Sequence, residues 1–428
     1  MKIAFLTFGC TLNIADSELM MGLLRKAGHS IVDSVDEADL VVVNSCSVKN
    51  LAETKFFRAL RYAEVKGKKV VVAGCVTQAE PDYASTKLKD YSIIGTRQLN
   101  KIVHVVEETL QGNVVHALEW DKNERFNIPV VRKNPVVGIV PIAEGCLGEC
   151  TYCKARLARG KLVSYDPEAI VKRVVSDVRD GCKEIWLTSQ DCGAYGKDIG
   201  TNIVALLRAV CEIEGDFFVR LGMMNPNFAL EYLDDLVDVF KENKGKLFWF
   251  VHLPVQSGSD DILKLMKRKY SVADFVKVCS MFRKEMPEIT IATDVICGFP
   301  KESISDFQST KEIIKRVEPD VINISRFWPR PGTTAANMEG QLHGRDTNER
   351  SREMKKVKEE VSLLRNRIWE GWKGKIMIDE KGSVGSGESW IGRNFAYKPV
   401  ALKGVFSLGE SVEIKRVKAH TYHLEGSL

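Results

Sequence analysis

Twice along this chain, short apolar runs alternate with longer amphipathic stretches, and no other feature restricts the possible folds as much. Up to about residue 112 the apolar runs cover 3–8, 40–43 and 70–73, and the amphipathic stretches cover 17–27, 51–63 and 100–110. This alternation predicts a small doubly wound parallel sheet with helices on both faces. In such sheets, ligands gather outside the carboxyl ends of the strands. Cys10, Cys46 and Cys75 fall there, each just after an apolar run. A lone cysteine is commonly a buried apolar residue, so each taken singly reads either way. Three at equivalent strand ends, beside glycine or small polar residues, point to a shared site.

A second alternating array has strand candidates at 136–144, 184–189, 217–222, 247–254, 290–298 and 320–327. Six strand-helix units predict a partial (βα)6 barrel that functions at the carboxyl face of its strands. Its first helix should begin at Asp166-Pro-Glu, where Asp caps, Pro presets the first turn and Glu complements the positive helix end. A charged amphipathic helix over 345–369 closes this region. After Trp372 come short β-rich runs at 375–379, 390–392, 398–402 and 411–417, which read as a small five-stranded β-barrel. Such barrels often hold single-stranded or looped nucleic acid. Arg393, Tyr397, Lys398, Lys415, Arg416 and Lys418 suit that task, and they suit a solvated barrel face equally. The chain is thus α/β, divided as 1–113, a connection at 114–134, 135–368 and 369–428. At 428 residues it is too long for one ordinary core.

Cys146, Cys150 and Cys153 share the loop Glu144-Gly-Cys-Leu-Gly-Glu-Cys-Thr-Tyr-Cys-Lys154, a Cys-x3-Cys-x2-Cys spacing. Closed structural sites use four protein ligands. A cubane of four irons held by three thiolates keeps one iron open. The competing zinc knuckle needs a fourth Cys or His nearby, and none occurs before Cys182. The loop resembles the radical S-adenosylmethionine signature, which implies that the open iron chelates the amino and carboxylate groups of that cofactor.

Eleven cysteines, an odd number, argue against a secreted disulfide framework and for a reducing cytoplasm. No run is long and apolar enough to span a bilayer, so no membrane association is expected. A net charge of +5 permits a nucleic-acid partner without establishing one. The seven histidines show no metal spacing. Cys182, Cys211 and Cys279 read as core. Cys192 and Cys297 lie near the expected active face, and a structural role is expected for both.

The motifs Thr7-Phe-Gly-Cys-Thr-Leu-Asn13, Val43-Asn-Ser-Cys-Ser-Val48 and Ala73-Gly-Cys-Val-Thr-Gln78 resemble the amino-terminal cluster motifs of the MiaB-type methylthiotransferases. The radical loop and a terminal barrel resembling a TRAM domain complete the same order. Segments 187–202, 220–226 and 292–300 are most similar to the archaeal and eukaryotic MtaB branch. The eukaryotic members carry a carboxyl-terminal membrane anchor, and this chain reaches Leu428 without one, so an archaeal-type soluble member is expected.

The resemblance implies two 4Fe-4S clusters. One, on Cys146, Cys150 and Cys153, reduces S-adenosylmethionine to methionine and a deoxyadenosyl radical. The other, on Cys10, Cys46 and Cys75, carries the sulfur that is methylated and transferred. Replacing hydrogen on C2 of adenine needs such a radical, because acid-base side chains have no handle on that bond. The implied substrate is tRNA bearing N6-threonylcarbamoyladenosine at position 37 of the anticodon loop. Loops of this kind offer unstacked bases to protein. A low-potential ferredoxin- or flavodoxin-type electron donor and an external sulfur source complete the implied partners.

The threonylcarbamoyl carboxylate favours a basic residue near the pocket. Arg156, Arg159, Lys161 and Arg220 are candidates, although each also reads as an ordinary ion pair. Thr188, Ser189, Gln190 and Asp191 occupy the place where radical S-adenosylmethionine enzymes contact the cofactor's amino group. Gln256, Asp294 and Gly298 are further cofactor candidates, with turn geometry an equal explanation for the glycine. Two rival functions share these features. A methylthiotransferase for a ribosomal-protein aspartate shares the chemistry, but the MtaB-like segments favour tRNA. An iron-sulfur sensor or RNA-binding scaffold without catalysis is disfavoured because all six cysteines are intact.

Overall fold

The computed structural model describes residues 1–46, 50–120, 125–384 and 387–428. Residues 47–48 of the second cysteine motif and 121–124 of the connection lie outside the described residues.

The first sheet contains β1 (Lys2–Phe8), β2 (Ser30–Val32), β3 (Leu40–Ser45), β4 (Lys69–Gly74), β5 (Ser92–Ile94) and β6 (His116–Ala117). Their order is β2-β1-β3-β4-β5-β6, parallel throughout. Successive side chains alternate between faces, and this decides the packing. Ile3, Phe5, Leu40, Val42 and Val71 meet Leu19, Met20 and Leu24 of helix Thr11–Lys26 and Val105 and Val106 of helix Ile102–Gln111. On the opposite face, Ala4, Val41, Val43, Val70 and Val72 meet Phe56, Ala59, Leu60 and Ala63 of helix Asn50–Val65. A sheet covered on both sides explains the unbroken valine runs. The stretch read as a connection supplies β6, which pairs with Ile93 and Ile94.

Next come β7 (Val137–Pro141), β8 (Ala143–Glu144), β9 (Val163–Ser164), β10 (Glu184–Thr188), β11 (Phe218–Leu221), β12 (Phe250–His252), β13 (Thr290–Cys297) and β14 (Val321–Arg326). The short antiparallel pair β8 and β9 brackets the Cys146 loop. The other six form two parallel sets, β7-β10-β11 and β12-β13-β14. A parallel bridge from Val219 to Leu247 joins them, so the six expected strands form one curved wall, a partial barrel. Helix Pro167–Arg179 starts as anticipated, with Asp166 accepting from Ala169 N at 2.9 Å. The charged helix Gly344–Arg367 lies against the last barrel strands, and Val357 and Val361 join the core. Among the described residues, no helix is long and apolar enough to cross a membrane.

The terminal region contains β15 (Gly374–Val384), β16 (Gly387–Arg393), β17 (Pro399–Leu402), β18 (Ser411–Ile414), β19 (Arg416–Ala419) and β20 (Leu424–Ser427). One sheet of order β18-β15-β16-β17-β20-β19 curls into a half-barrel. It has six strands where five were expected: the run 411–417 divides at Lys415 into β18 and β19, and β20 lies beyond the four runs read from the sequence. The first half of the divided run pairs with β15 and its second with β20, so a single bent run serves both edges. The half-barrel packs on the amino ends of the barrel strands. Tyr397 packs edge-on against Phe248 and tilted against Phe250, with ring centroids at 4.8 and 5.1 Å. Trp249 N donates to Phe395 O at 2.8 Å. Lys398 Nζ reaches Asp320, just before β14, at 2.8 Å. The half-barrel therefore floors the lumen, opposite the face that carries the Cys146 loop.

Candidate functional site

Each sulfur of the Cys146 loop has its own hydrogen-bond donor. Gly148 N donates to Cys146 Sγ at 3.2 Å, Ala155 N to Cys153 Sγ at 3.4 Å, and Arg268 Nη1 to Cys150 Sγ at 3.0 Å. Donors to sulfur are a main lever on the potential of an iron-sulfur cluster. Burial pushes the Cys146 thiol up to about 12 and the Cys153 thiol up to about 11, so a bound cation is needed to hold both as thiolates. A Cβ added to Gly148 would stand 3.3 Å from Cys146 Sγ and 3.6 Å from Cys150 Sγ. Glycine thus keeps the space between the sulfurs clear. Among the described residues, no three His, Cys, Asp or Glu side chains close tightly enough to hold a single ion. Thiolates on separate irons of a cubane stand further apart than the ligands of one ion, and the clear space beside Gly148 leaves room for that larger group.

Arg268 was not anticipated from the sequence. Its other guanidinium nitrogen donates to Asn225 Oδ1, and Asn225 Nδ2 donates to Asp191 Oδ2 at 2.6 Å. Asn225 and Asp191 are both buried. Burial raises the Asp191 carboxyl to about 6. Gln190 Oε1 accepts from Gly145 N at 2.8 Å, tying the end of β10 to the loop.

The first sheet has its topological switch between β1 and β3, the strands that precede Cys10 and Cys46. Open α/β sheets bind ligands at that crevice. Cys75 opens the short helix Cys75–Ala79 after β4. Cys46 and Cys75 are buried and Cys10 is exposed. The hydrogen bond with Cys46, and then Arg159, lower the Cys75 thiol to about 6 against the cost of burial. Cys10 lies close enough to Cys75 for their charges to interact, and burial of its sulfur raises its thiol. The three strand-end thiols thus lie near one another, and of these two only Cys75 is drawn toward thiolate without a bound cation.

The two cysteine sites share one seam. Helix Cys75–Ala79 packs on helix Ala155–Arg159, which follows Cys153, with Cys75, Ala79 and Ala158 in one apolar cluster. Thr96 Oγ1 donates to Ala158 O at 2.7 Å, and Arg97 Nη2 to Arg159 O at 2.8 Å. Beneath lies a buried charge network. Arg159 reaches Asp16 at 2.5 Å and Glu144 at 3.2 Å, Arg125 pairs with the same two acids, and Arg97 Nε lies 3.5 Å from Glu144. Three guanidinium groups against two carboxylates leave an excess positive charge beside Cys75, which complements an anionic thiolate cluster.

The remaining candidates separate clearly. Arg156 is half-buried and pairs with Glu149 at 3.0 Å, and Lys161 is exposed. Arg159 is not free for a substrate, because both of its terminal nitrogens are committed within the seam. Arg220 points into the barrel lumen. Arg393, expected on an RNA-facing surface, turns inward because Asp379 accepts its Nε at 2.9 Å and its guanidinium lies 4.9 Å from the Tyr397 ring. Lys415, Arg416 and Lys418 are exposed around the bend in the edge run, whereas Lys398 is buried.

Ser189 Oγ accepts from Asp191 N at 3.1 Å. Gln256 holds a φ of 65° four residues past β12, one of six non-glycine residues with positive φ among those described. Asp294 lies 3.1 Å from His252 Nε2 and accepts from Asn323 Nδ2 at 2.9 Å. Gly298 has a φ of 79°, and any Cβ there would collide with Thr347. Helix packing accounts for that glycine. Cys182, Cys192, Cys279 and Cys297 are buried and Cys211 is half-buried.

A partial parallel barrel with three cysteines on its first loop, seamed to a sheet with three more, defines a radical S-adenosylmethionine protein with a second cysteine site. The Radical SAM superfamily matches residues 140–314, and the family described as uncharacterized protein family UPF0004 matches residues 2–95. The radical S-adenosylmethionine methyltransferase TsrM from Kitasatospora setae shares the fold at 13% identity. Its TM-score is 0.58, covering 78% of this chain and 75% of that one. A probable threonylcarbamoyladenosine tRNA methylthiotransferase from Pyrococcus horikoshii is 42% identical over 95% of both chains. The human threonylcarbamoyladenosine tRNA methylthiotransferase is 39% identical over 99% of this chain and 73% of its own. The chain belongs to the threonylcarbamoyladenosine tRNA methylthiotransferase family.

Proposed function

We propose that this protein is a radical S-adenosylmethionine methylthiotransferase that converts N6-threonylcarbamoyladenosine at position 37 of tRNA to its 2-methylthio derivative. The observation that carries this reading is the seam itself. Cys75 and the helix that follows Cys153 are in contact, which supports a reading in which the two cysteine sites would serve one substrate atom. When bound, the cofactors supply an electron for cleaving S-adenosylmethionine and a sulfur for transfer, which no side chain of the chain provides.

The residues do the rest. Cys146, Cys150 and Cys153 hold one 4Fe-4S cluster, and Cys10, Cys46 and Cys75 hold the other. Arg268 sets the charge around Cys150 while fixing Asn225 and Asp191. Ser189, Gln190 and Gln256 line the carboxyl ends of β10 and β12, where the cofactor's amino acid end is received. Lys415, Arg416 and Lys418 on the half-barrel offer phosphate contacts for the tRNA stem. A low-potential ferredoxin- or flavodoxin-type protein delivers the electrons and a separate sulfur source reloads the second cluster, in the cytoplasm.

The test is anaerobic reconstitution with dithionite, S-adenosylmethionine and threonylcarbamoylated tRNA, read by mass spectrometry of nucleosides. Wild type should yield the 2-methylthio nucleoside together with deoxyadenosine. Cys150→Ala should abolish both, and Cys46→Ala should retain deoxyadenosine while losing methylthiolation. Methylthiolated tRNA from the Cys46 variant would refute the sulfur assignment.

A further inference from the structure

We propose that Arg220 is the specificity residue of this site, receiving the carboxylate of the threonylcarbamoyl group inside an aromatic cage in the barrel lumen. This rests on the substrate reading above and adds the part of the protein that tells this adenine modification from an uncharged one.

Strand β11 alternates sharply. Val219 and Leu221 face outward and are buried among the helices, so Phe218 and Arg220 face the lumen. There the Arg220 guanidinium lies 5.2 Å from the Trp186 ring centroid, 4.8 Å from Phe250 and 5.1 Å from Tyr397. Trp186 is its register partner on β10, Phe250 comes from β12, and Tyr397 rises from the floor. Ring faces attract a cation without using any of its N–H donors. The cage therefore fixes the guanidinium and leaves its five-donor fork unspent.

Half-buried cations normally find a carboxylate, because leaving water uncompensated is costly. Arg393, on the same Tyr397 ring, obeys this through Asp379 at 2.9 Å and Glu380 at 3.4 Å. Arg220 has no hydrogen-bond or ion-pair partner among the described residues, and its Nε is buried without an acceptor. Neither nearby acid pairs with it. Glu184, two residues before Trp186 on β10, accepts from Trp186 Nε1 through Oε2 at 2.8 Å and leaves Oε1 buried without a partner, and Asp294 is held by His252 and Asn323. A substrate carboxylate would complete the missing bidentate pair, which a planar guanidinium makes and an ammonium does not reproduce. Position agrees with this role, since Arg220 lies on the wall that continues through Gly222 to Asn225, the partner of Arg268 under the cysteine loop.

The experiment crosses two proteins with two RNAs. Anticodon stem-loops carrying the threonylcarbamoyl group as the free acid or as its methyl ester are given to reconstituted wild type and Arg220→Met. Wild type should prefer the acid by about 10- to 100-fold in kcat/KM, the range expected for one charge-assisted pair. Arg220→Met should lose that preference while still cleaving S-adenosylmethionine without RNA, and fluorescence anisotropy of the two stem-loops should show the same loss in binding. Arg220→Lys, which keeps the charge in the cage, should retain part of the preference. An Arg220→Met protein that still favours the acid as wild type does overturns the assignment. Wild type that modifies neither RNA overturns the substrate reading instead, and the inference falls with it. Should Arg220→Met fail to fold, as judged by its thermal melt, Arg220→Lys with undiminished acid preference and undiminished kcat/KM overturns the bidentate role.

Discussion

Arg159 meets Asp16 at 2.5 Å across the seam between the first sheet and the barrel, with both side chains almost entirely withheld from water. One residue follows the cysteine loop of the barrel and the other lies on the first helix of the chain, so a single contact registers the two cysteine sites. Removing one partner of a buried pair strands the other charge, at a cost of about 3–5 kcal/mol. Arg159→Met should therefore destabilise the cluster-free protein by about that amount in urea unfolding, and adding Asp16→Asn should recover part of the loss. A single variant within about 1 kcal/mol of wild type would show that the network contributes little.

The hydrogen bond from Arg268 to Cys150 Sγ stabilises negative charge on the sulfur. Arg268→Met should make the midpoint potential of the barrel cluster more negative and slow the formation of deoxyadenosine. A redox titration followed by electron paramagnetic resonance measures the potential directly. An unchanged potential with slowed turnover would mean that Arg268 acts through Asn225 and Asp191 alone.

Space between the sulfurs is reserved by Gly148. Gly148→Ala places a methyl group 3.3 Å from Cys146 Sγ and 3.6 Å from Cys150 Sγ. Iron per chain after reconstitution should fall by about half, because only one of two equal clusters is lost. The melting temperature of the cluster-free protein should hardly move. Full iron content would remove Gly148 from the site.

Glu184 carries a pH signature. Burial raises its carboxyl from the ordinary 4.5 to about 8. The folded state therefore favours the protonated acid, and its contribution to stability is complete below the ordinary value and drains away as pH rises toward 8. Glu184→Gln should flatten the decline in stability between about pH 5 and 8, and the variant should gain most over wild type at the alkaline end. Chemical denaturation at several pH values checks this, and parallel curves for the two proteins would contradict it.

Much of this architecture is written in local pattern. Alternating apolar runs announce all six barrel strands and the doubly wound sheet, and they place Cys10, Cys46 and Cys75 just past the ends of β1, β3 and β4. What resists reading is pairing between distant residues. Arg125 and Asp16 stand 109 positions apart, and Arg159 and Asp16 stand 143 apart. An aspartate inside a helical pattern carries no mark of its partner. Arg268, likewise, lies in an ordinary-looking charged stretch, and only the return of the chain beneath Cys150 gives it a task. Arg393 and Lys398 read as outward-facing bases because periodicity says which residues share a face of a strand, and not what covers that face. In the half-barrel, a run bent at Lys415 looks continuous in sequence, and the short closing strand Leu424–Ser427 carries no apolar run to announce it.

The floor of the lumen has a mechanical corollary. Phe395, Tyr397 and Lys398 follow every barrel strand in sequence, yet they complete a cavity whose wall is made well before them. A nascent chain stopped short of them would present an open-ended tube with its aromatic lining wet. Tyr397 touches both Phe250 of the wall and the guanidinium of Arg220, so a shift of the terminal sheet would move the lining of the lumen with it.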